Sequence, residues 1–345
     1  MNKYILSNVK FGEPSANIAD FFLYLHDLSI SKKKLSIHKT DDGGVISSGY
    51  LISDQGYKPV KNIKANDINK EIILNYDGMY SFCLINNQTL TFFTDAFGLE
   101  RLYYFQNGDH FAVSNDLLYL AQFINKKGLF KLDEGRLLEW LIHGCMESEN
   151  TPIKYVRTAT PGHYFNYSHN KLSSENVYSF KDILLKNKYT FTNRDENELF
   201  DEFEEIYCSY INQYLNNNPN QTIGCYLSSG LDSRTNAWAL NKSGHPFTGI
   251  TYDCGSEEDT LASLQYGALT GHPIINTFMS RNDDIREYLN KAAQTFNFTQ
   301  PAENCQFFPS MGMVRSTINT VFDGTSGDIF FGGLFKGKTN KYNKQ

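Results

Sequence analysis

From Ile223 to Phe322 short apolar runs alternate with longer amphipathic ones, and this alternation restricts the fold more than any other feature of the chain. Ile223–Leu227 reads as a strand, Ser233–Lys242 as a helix closed by Gly244, and Phe247–Tyr252 as a strand. Thr260–Thr270 reads as a helix closed by Gly271 and Ile274–Phe278 as a strand. Asp284–Phe296 reads as a helix and Asn319–Phe322 as a strand. Strands that alternate with helices imply a parallel sheet with right-handed crossovers. In such sheets ligands bind beyond the carboxyl ends of the strands. Three loops leave strands at that end: after Leu227, after Tyr252 and after Phe322.

The first of these loops carries the chemistry. It reads Leu227-Ser228-Ser229-Gly230-Leu231-Asp232-Ser233 and opens directly into a helix. Loop N–H groups and a helix N-terminus together favour an anion such as phosphate. Gly230 permits close backbone approach, Ser228 and Ser233 supply hydroxyl donors, and Asp232 suits a divalent cation bridging phosphates. The pattern is neither a Walker loop nor a dinucleotide fingerprint. The same residues would also make an ordinary Ser/Gly turn capping a helix.

The loop after Phe322 is also rich in glycine and hydroxyls: Asp323-Gly324-Thr325-Ser326-Gly327-Asp328. Asp232 and Asp328 then stand at two strand ends of one sheet, and two carboxylates with phosphate oxygens make a magnesium environment.

Upstream the pattern is different. Ile72–Tyr76 and Met79–Asn86 are β-prone, with Asp77-Gly78 read as the turn between them. Leu90–Thr94, Leu102–Phe105 and Phe111–Ser114 follow, the last two flanking Asn107-Gly108. These short strands imply a layered β structure over residues 1–180. A polar stretch from Lys181 to Arg194 separates it from a second domain over 195–345, which opens on a long helix with apolar positions at Leu199, Phe203, Ile206, Tyr210, Ile211 and Tyr214. Asn193 and Glu196 read as its capping box.

Net charge is −6 among 345 residues, which argues against nucleic acid as partner. No apolar run reaches the ~18 residues that span a membrane. The six cysteines are scattered without metal or Cys-x-x-Cys spacing, so reduced thiols and a cytoplasmic location are expected.

The Ser228–Ser233 loop resembles the pyrophosphate loop of ATP pyrophosphatases, commonly Ser-Gly-Gly-x-Asp-Ser, with Ser229 in place of a Gly. Gly324, Gly327-Asp328, Phe331 and Gly332-Gly333 resemble the second signature of the asparagine synthetase family, and Asp259, Ala262 and His272 echo positions between the two. Asp77-Gly78-Met79-Tyr80, Asp95 with Gly98, Ser114 and Pro161-Gly162-His163 are similar to that family's glutaminase domain. The resemblance implies an Ntn-hydrolase-like layered β domain followed by a doubly wound parallel-sheet ATP-pyrophosphatase domain. It implies ATP and Mg²⁺ as cofactors, with Leu227 to Ser233, Ile250 and Gly324 around the nucleotide and Asp232 with Asp328 on the metal. Activation of a small carboxylate or peptide substrate would follow, with ammonia or an internal amine as acceptor. A homodimer or a biosynthetic-cluster partner is compatible with it.

Three departures shape the functional expectation. The family's glutaminase nucleophile is an N-terminal Cys, and position 2 is Asn2, so no glutaminase activity is expected and no catalytic residue is assigned. The same loss occurs in β-lactam synthetases and lasso-peptide cyclases. Ile329 stands where the family has Glu, and Arg234 replaces a small residue, either as a solvated helix side chain or as a phosphate contact. The chain ends at Gln345, so the synthetase domain is expected to be incomplete. Three functions remain open: an amide-forming synthetase without its own glutaminase, a related cyclase, and a nucleotide-binding protein without turnover.

Overall fold

The structure, a computed structural model, describes residues 3–10, 12–26, 35–40, 42–146, 148–179, 181–182, 185, 195–253, 257–278, 285–296 and 308–324. The chain divides into two compact units, Met1–Asn193 with Ala293–Ala302, and Arg194–Ala292 with Glu303–Gln345.

The first unit is built on two antiparallel sheets. One has the order β11 (Val156–Thr158), β9 (Tyr103–Asn107), β10 (His110–Ser114), β1 (Lys3–Ser7), β3 (Phe21–His26), β2 (Ala16–Ile18). The other has the order β13 (Lys171–Asn176), β12 (His163–Ser168), β8 (Thr89–Thr94), β7 (Asp77–Asn86), β5 (Gly43–Ser53), β4 (Ser36–Thr40), with β6 (Gly56–Pro59) also paired to β5. Side-chain alternation assigns the layers. Tyr4, Leu6, Cys83, Phe92, Phe111 and Phe165 share the core between the sheets. Ile5, Phe105 and Ala112 face outward onto α2 (Leu117–Asn125), which α3 (Glu134–His143) follows along the chain. Phe82 and Phe93 face the opposite way, onto α1 (Glu71–Asn75). Strands buried on both faces read as continuous apolar runs, which is why Tyr4-Ile5-Leu6 and Phe92-Phe93 do not alternate with polar residues.

Two local expectations are corrected here. Glu71–Asn75 is helical, and Asp77-Gly78 is no turn: β7 begins at Asp77 and pairs with β5 through Ile52 and Leu51. The Asn69 side chain accepts from the Glu71 amide at 2.9 Å, and one helical turn buries both Ile72 and Ile73. A five-residue run is too short for its periodicity to separate strand from helix.

In the second unit α4 (Glu196–Asn216) is capped by Asp195, whose carboxylate accepts from the Asn197 amide at 2.8 Å. The expected box at Asn193 is not the cap, and Asn193 itself lies outside the described residues. Then follow β14 (Ile223–Tyr226), α5 (Leu231–Lys242), β15 (Thr248–Asp253), α6 (Glu257–Thr270), β16 (Ile274–Phe278), α7 (Ile285–Phe296), α8 (Phe308–Thr317) and β17 (Thr320–Phe322). Gly244 and Gly271 end α5 and α6 in the left-handed region. The four strands pair in parallel in the order β16-β15-β14-β17. Ile211 and Leu215 of α4 and Ala237 and Leu240 of α5 pack with Ile223 and Cys225, while Val314 of α8 and Ile318 just after it pack with Ile250.

Candidate functional site

The strand order contains a reversal. From β14 the chain proceeds outward to β15 and β16, then returns to place β17 on the other side of β14. The crevice beyond β14 and β17 is therefore a topological switch point, where open α/β sheets bind ligands. Both expected loops border it. Leu227 to Gly230 leave β14, and Asp323 and Gly324 leave β17.

The loops touch. A Cβ on Gly324 would lie 2.7 Å from the Ser233 amide nitrogen and 2.8 Å from the Asp232 carbonyl carbon. Only a glycine lets the chain leaving β17 pass this close to the first turn of α5. Asp232 sits in that turn, and Leu231 beside it is 74% exposed. Asp328 lies outside the described residues, so its distance from Asp232 is not assigned.

The loop is knitted internally. The Ser228 amide donates to Ser233 Oγ at 3.1 Å, the Gly230 amide to Ser228 Oγ at 3.2 Å, and the two hydroxyls pair at 2.9 Å. The Ser229 amide donates to Asp259 Oδ1 at 2.7 Å. Sequence reasoning gave these amides to a ligand, whereas in the structure each has a protein acceptor. Gly230, the N-cap of α5, supplies no side-chain cap. The α5 N-terminus therefore keeps first-turn N–H groups that no cap side chain covers. Arg234 Nε donates to the Gly230 carbonyl at 3.3 Å, which turns its guanidinium back toward the loop.

Leu227 is buried, and its amide donates to the Ile250 carbonyl at 2.8 Å. Ile250 contributes that carbonyl to the loop, while its side chain lies in the core with Val314 and Ile318. Asp323, little regarded in the sequence, stands at the end of β17. Burial pushes the Cys225 thiol up to about 12, with the Asp323 charge adding to it, and the same two causes raise Tyr226. Ser263 was missed altogether. It donates to the Leu227 carbonyl at 3.1 Å, and its spacing four residues after Asp259 on α6 was the available signal.

In the first unit, the residues that resemble the glutaminase domain form a structural joint. The buried Asp95 carboxylate accepts from the amides of Leu99 and Glu100 at 2.9 Å and Phe97 at 3.1 Å, closing the turn after β8. Burial raises its pKa, against the pull of those N–H donors. Gly98, at φ +67, packs on Pro161: a Cβ there would lie 2.6 Å from the proline Cγ. Ser114 Oγ donates to the Tyr4 carbonyl at 2.7 Å. Cys83 is fully buried against the Tyr4 hydroxyl at 3.3 Å, and burial pushes its thiol up to about 12. Asn2 lies outside the described residues.

Residues 65–179 match the family model of the glutamine amidotransferase domain. The match lies within the first unit and spans Asp95, Gly98, Pro161 and Gly162. Among solved structures the chain is similar to a glutamine phosphoribosylpyrophosphate amidotransferase from B. subtilis complexed with ADP and GMP, at 9% identity over 80% of this chain and 75% of that one, TM-score 0.30. It is also similar to a glutamine-dependent NAD+ synthetase from Acinetobacter baumannii in complex with ADP, at 13% identity over 54% of this chain and 34% of that one, TM-score 0.31. A third likeness is to the allosteric regulatory enzyme of purine biosynthesis, at 10% identity over 94% of this chain and 74% of that one, TM-score 0.30. TM-scores this low assign neither fold nor activity. No curated protein matches the chain. Among the described residues no helix is long and apolar enough to cross a membrane, and no group of three His, Cys, Asp or Glu is placed to hold a metal.

Proposed function

We propose that the second unit binds ATP by its phosphates at the crevice between β14 and β17 and uses it to activate a carboxylate for amide formation, in the manner of the asparagine synthetase family. The observation that carries this reading is the meeting of the Ser228–Ser233 loop with Gly324 at the switch point. The first turn of α5, which Gly230 leaves without a side-chain cap, suits phosphate oxygens, and glycine at 324 lets the chain leaving β17 lie against that turn. Asp232, with Asp328, would hold a magnesium ion, which supplies charge neutralisation for the phosphates.

In this reading a substrate carboxylate oxygen attacks the α-phosphorus and pyrophosphate leaves. An amine then attacks the acyl carbon, AMP departs with the C–O electron pair, and the amine loses a proton. The α5 N-terminus positions the phosphates while the bonds among Ser228, Gly230 and Ser233 hold the loop in shape, so catalysis is alignment plus charge stabilisation. Free ammonia or an internal amine is the acceptor. Cys83 supports this choice, because a buried thiol at about 12 is no nucleophile for glutamine. The same observation favours, as a second reading, a cyclase whose amine belongs to its own substrate.

ATP–pyrophosphate exchange across a panel of amino acids and peptides tests the proposal. Exchange with one acid, lost in Asp232→Ala, is expected. Absence of exchange with every acid, together with equal ATP binding by parent and Asp232→Ala, would sink it.

A further inference from the structure

Helix α6 holds the loop at two points one turn apart. Ser263, 1% exposed, donates its hydroxyl to the Leu227 carbonyl at 3.1 Å. One turn earlier, Asp259 Oδ1 accepts from the Ser229 amide at 2.7 Å and from the Ser229 hydroxyl at 2.6 Å. The second of these bonds exists because this chain has Ser229 where the motif it resembles has glycine. The contact lies at the surface: Ser229 is exposed and Asp259 half-buried. Solvent and solutes therefore reach it. The Asp259 side chain can swing away by rotation about χ1 while Ser263 keeps α6 in place.

A carboxylate oxygen here accepts from a backbone N–H and an O–H in the Ser228-Ser229-Gly230 loop, beside a helix N-terminus. That is the coordination a phosphate oxygen would receive. We infer that Asp259 is an internal competitor for the Ser229 amide, an affinity-setting residue that a polyphosphate must displace to use the whole loop. Ser229 strengthens the competitor by giving it a second donor. The inference rests on the loop being a phosphate site, as proposed above.

Removing the competitor makes the loop a better anion receptor. Asp259→Asn weakens the acceptor and deletes a negative charge next to a polyanion, so inorganic pyrophosphate and ATP should bind about three- to tenfold tighter. Ser229→Gly removes one of the two bonds and should tighten binding about two- to threefold. Calorimetric titration of the full chain with pyrophosphate and with ATP plus magnesium reads both. Deuterium exchange at the Ser229 amide should quicken in Asp259→Asn without a fall in melting temperature, separating loss of the contact from loss of the fold. Tighter binding by both variants supports the inference. Equal or weaker binding by either, with the parent still binding, overturns it and makes Asp259 a brace for the loop. If no form binds pyrophosphate or ATP, the phosphate-site reading fails and the competitor with it.

Discussion

Gly324→Ala places a methyl group between the two loops of the switch crevice. Gly324 is outside the left-handed region, so the cost is purely steric. The new Cβ would sit 2.7 Å from the Ser233 amide nitrogen, 2.8 Å from the Asp232 carbonyl carbon and 3.0 Å from the Asp232 Cβ. Comfortable separations are about 3.5–4.0 Å, so the strand end or the first turn of α5 must shift by the better part of an ångström. Two of the three atoms are backbone and cannot rotate away. Overpacking of this kind costs about 1–3 kcal/mol, and the stiffer chain returns about 0.5 kcal/mol through the unfolded state, leaving about 1.5 kcal/mol. For a unit of this size that is a fall of roughly 3–6 °C in melting temperature. A displaced first turn should also weaken ATP binding about tenfold, equivalent to ~1.4 kcal/mol. The control is Gly312→Ala, in the middle of α8, where a Cβ meets nothing within 4 Å. That change should raise stability by about 0.5–1 kcal/mol. Thermal unfolding with calorimetric ATP titration reads both variants. A Gly324→Ala protein that melts and binds like the parent would refute the close meeting of the loops.

Phe92 is fully buried, stacks on Phe165 at 4.9 Å between ring centroids and lies 6.1 Å from Phe111. Phe92→Ala should cost about 3–5 kcal/mol in urea unfolding, and a loss under ~1 kcal/mol would mean the inter-sheet core is looser than described. For Cys83 the folded thiol titrates at about 12, above the ordinary value of 9.0. The fold favours the protonated form, so this contribution to stability is complete below about pH 9 and is lost as pH rises toward 12. Iodoacetamide near pH 8 should therefore leave Cys83 unmodified in native protein and label it in urea. Mass mapping that finds native labelling there would contradict the burial.

The second unit was more legible than the first. Its apolar runs are bounded by Gly244, Gly271 and the Ser228–Gly230 loop, so local signals mark nearly every element. Strand order was not readable, because nothing in Thr320-Val321-Phe322 says that it pairs with Ile223–Cys225 rather than beside β16. The contact of Gly324 with Ser233 depends on that long-range pairing. In the first unit β1, β3 and β5 were not read at all. β1 and most of β5 are buried on both faces and show no alternation, β3 runs from buried Phe21 to exposed Leu25 and His26, and Gly43-Gly44 looks like a turn while pairing with Ile85 and Asn86. In the sequence Asp259 is only an echo of a family position. Its bond to Ser229 joins residues thirty apart and carries no local signature.

The joint formed by Asp95, Gly98 and Pro161 separates ancestry from chemistry. These residues lie within the stretch that matches the amidotransferase-domain model, and all three hold up architecture. Replacing them would damage the scaffold whether or not a reaction took place there.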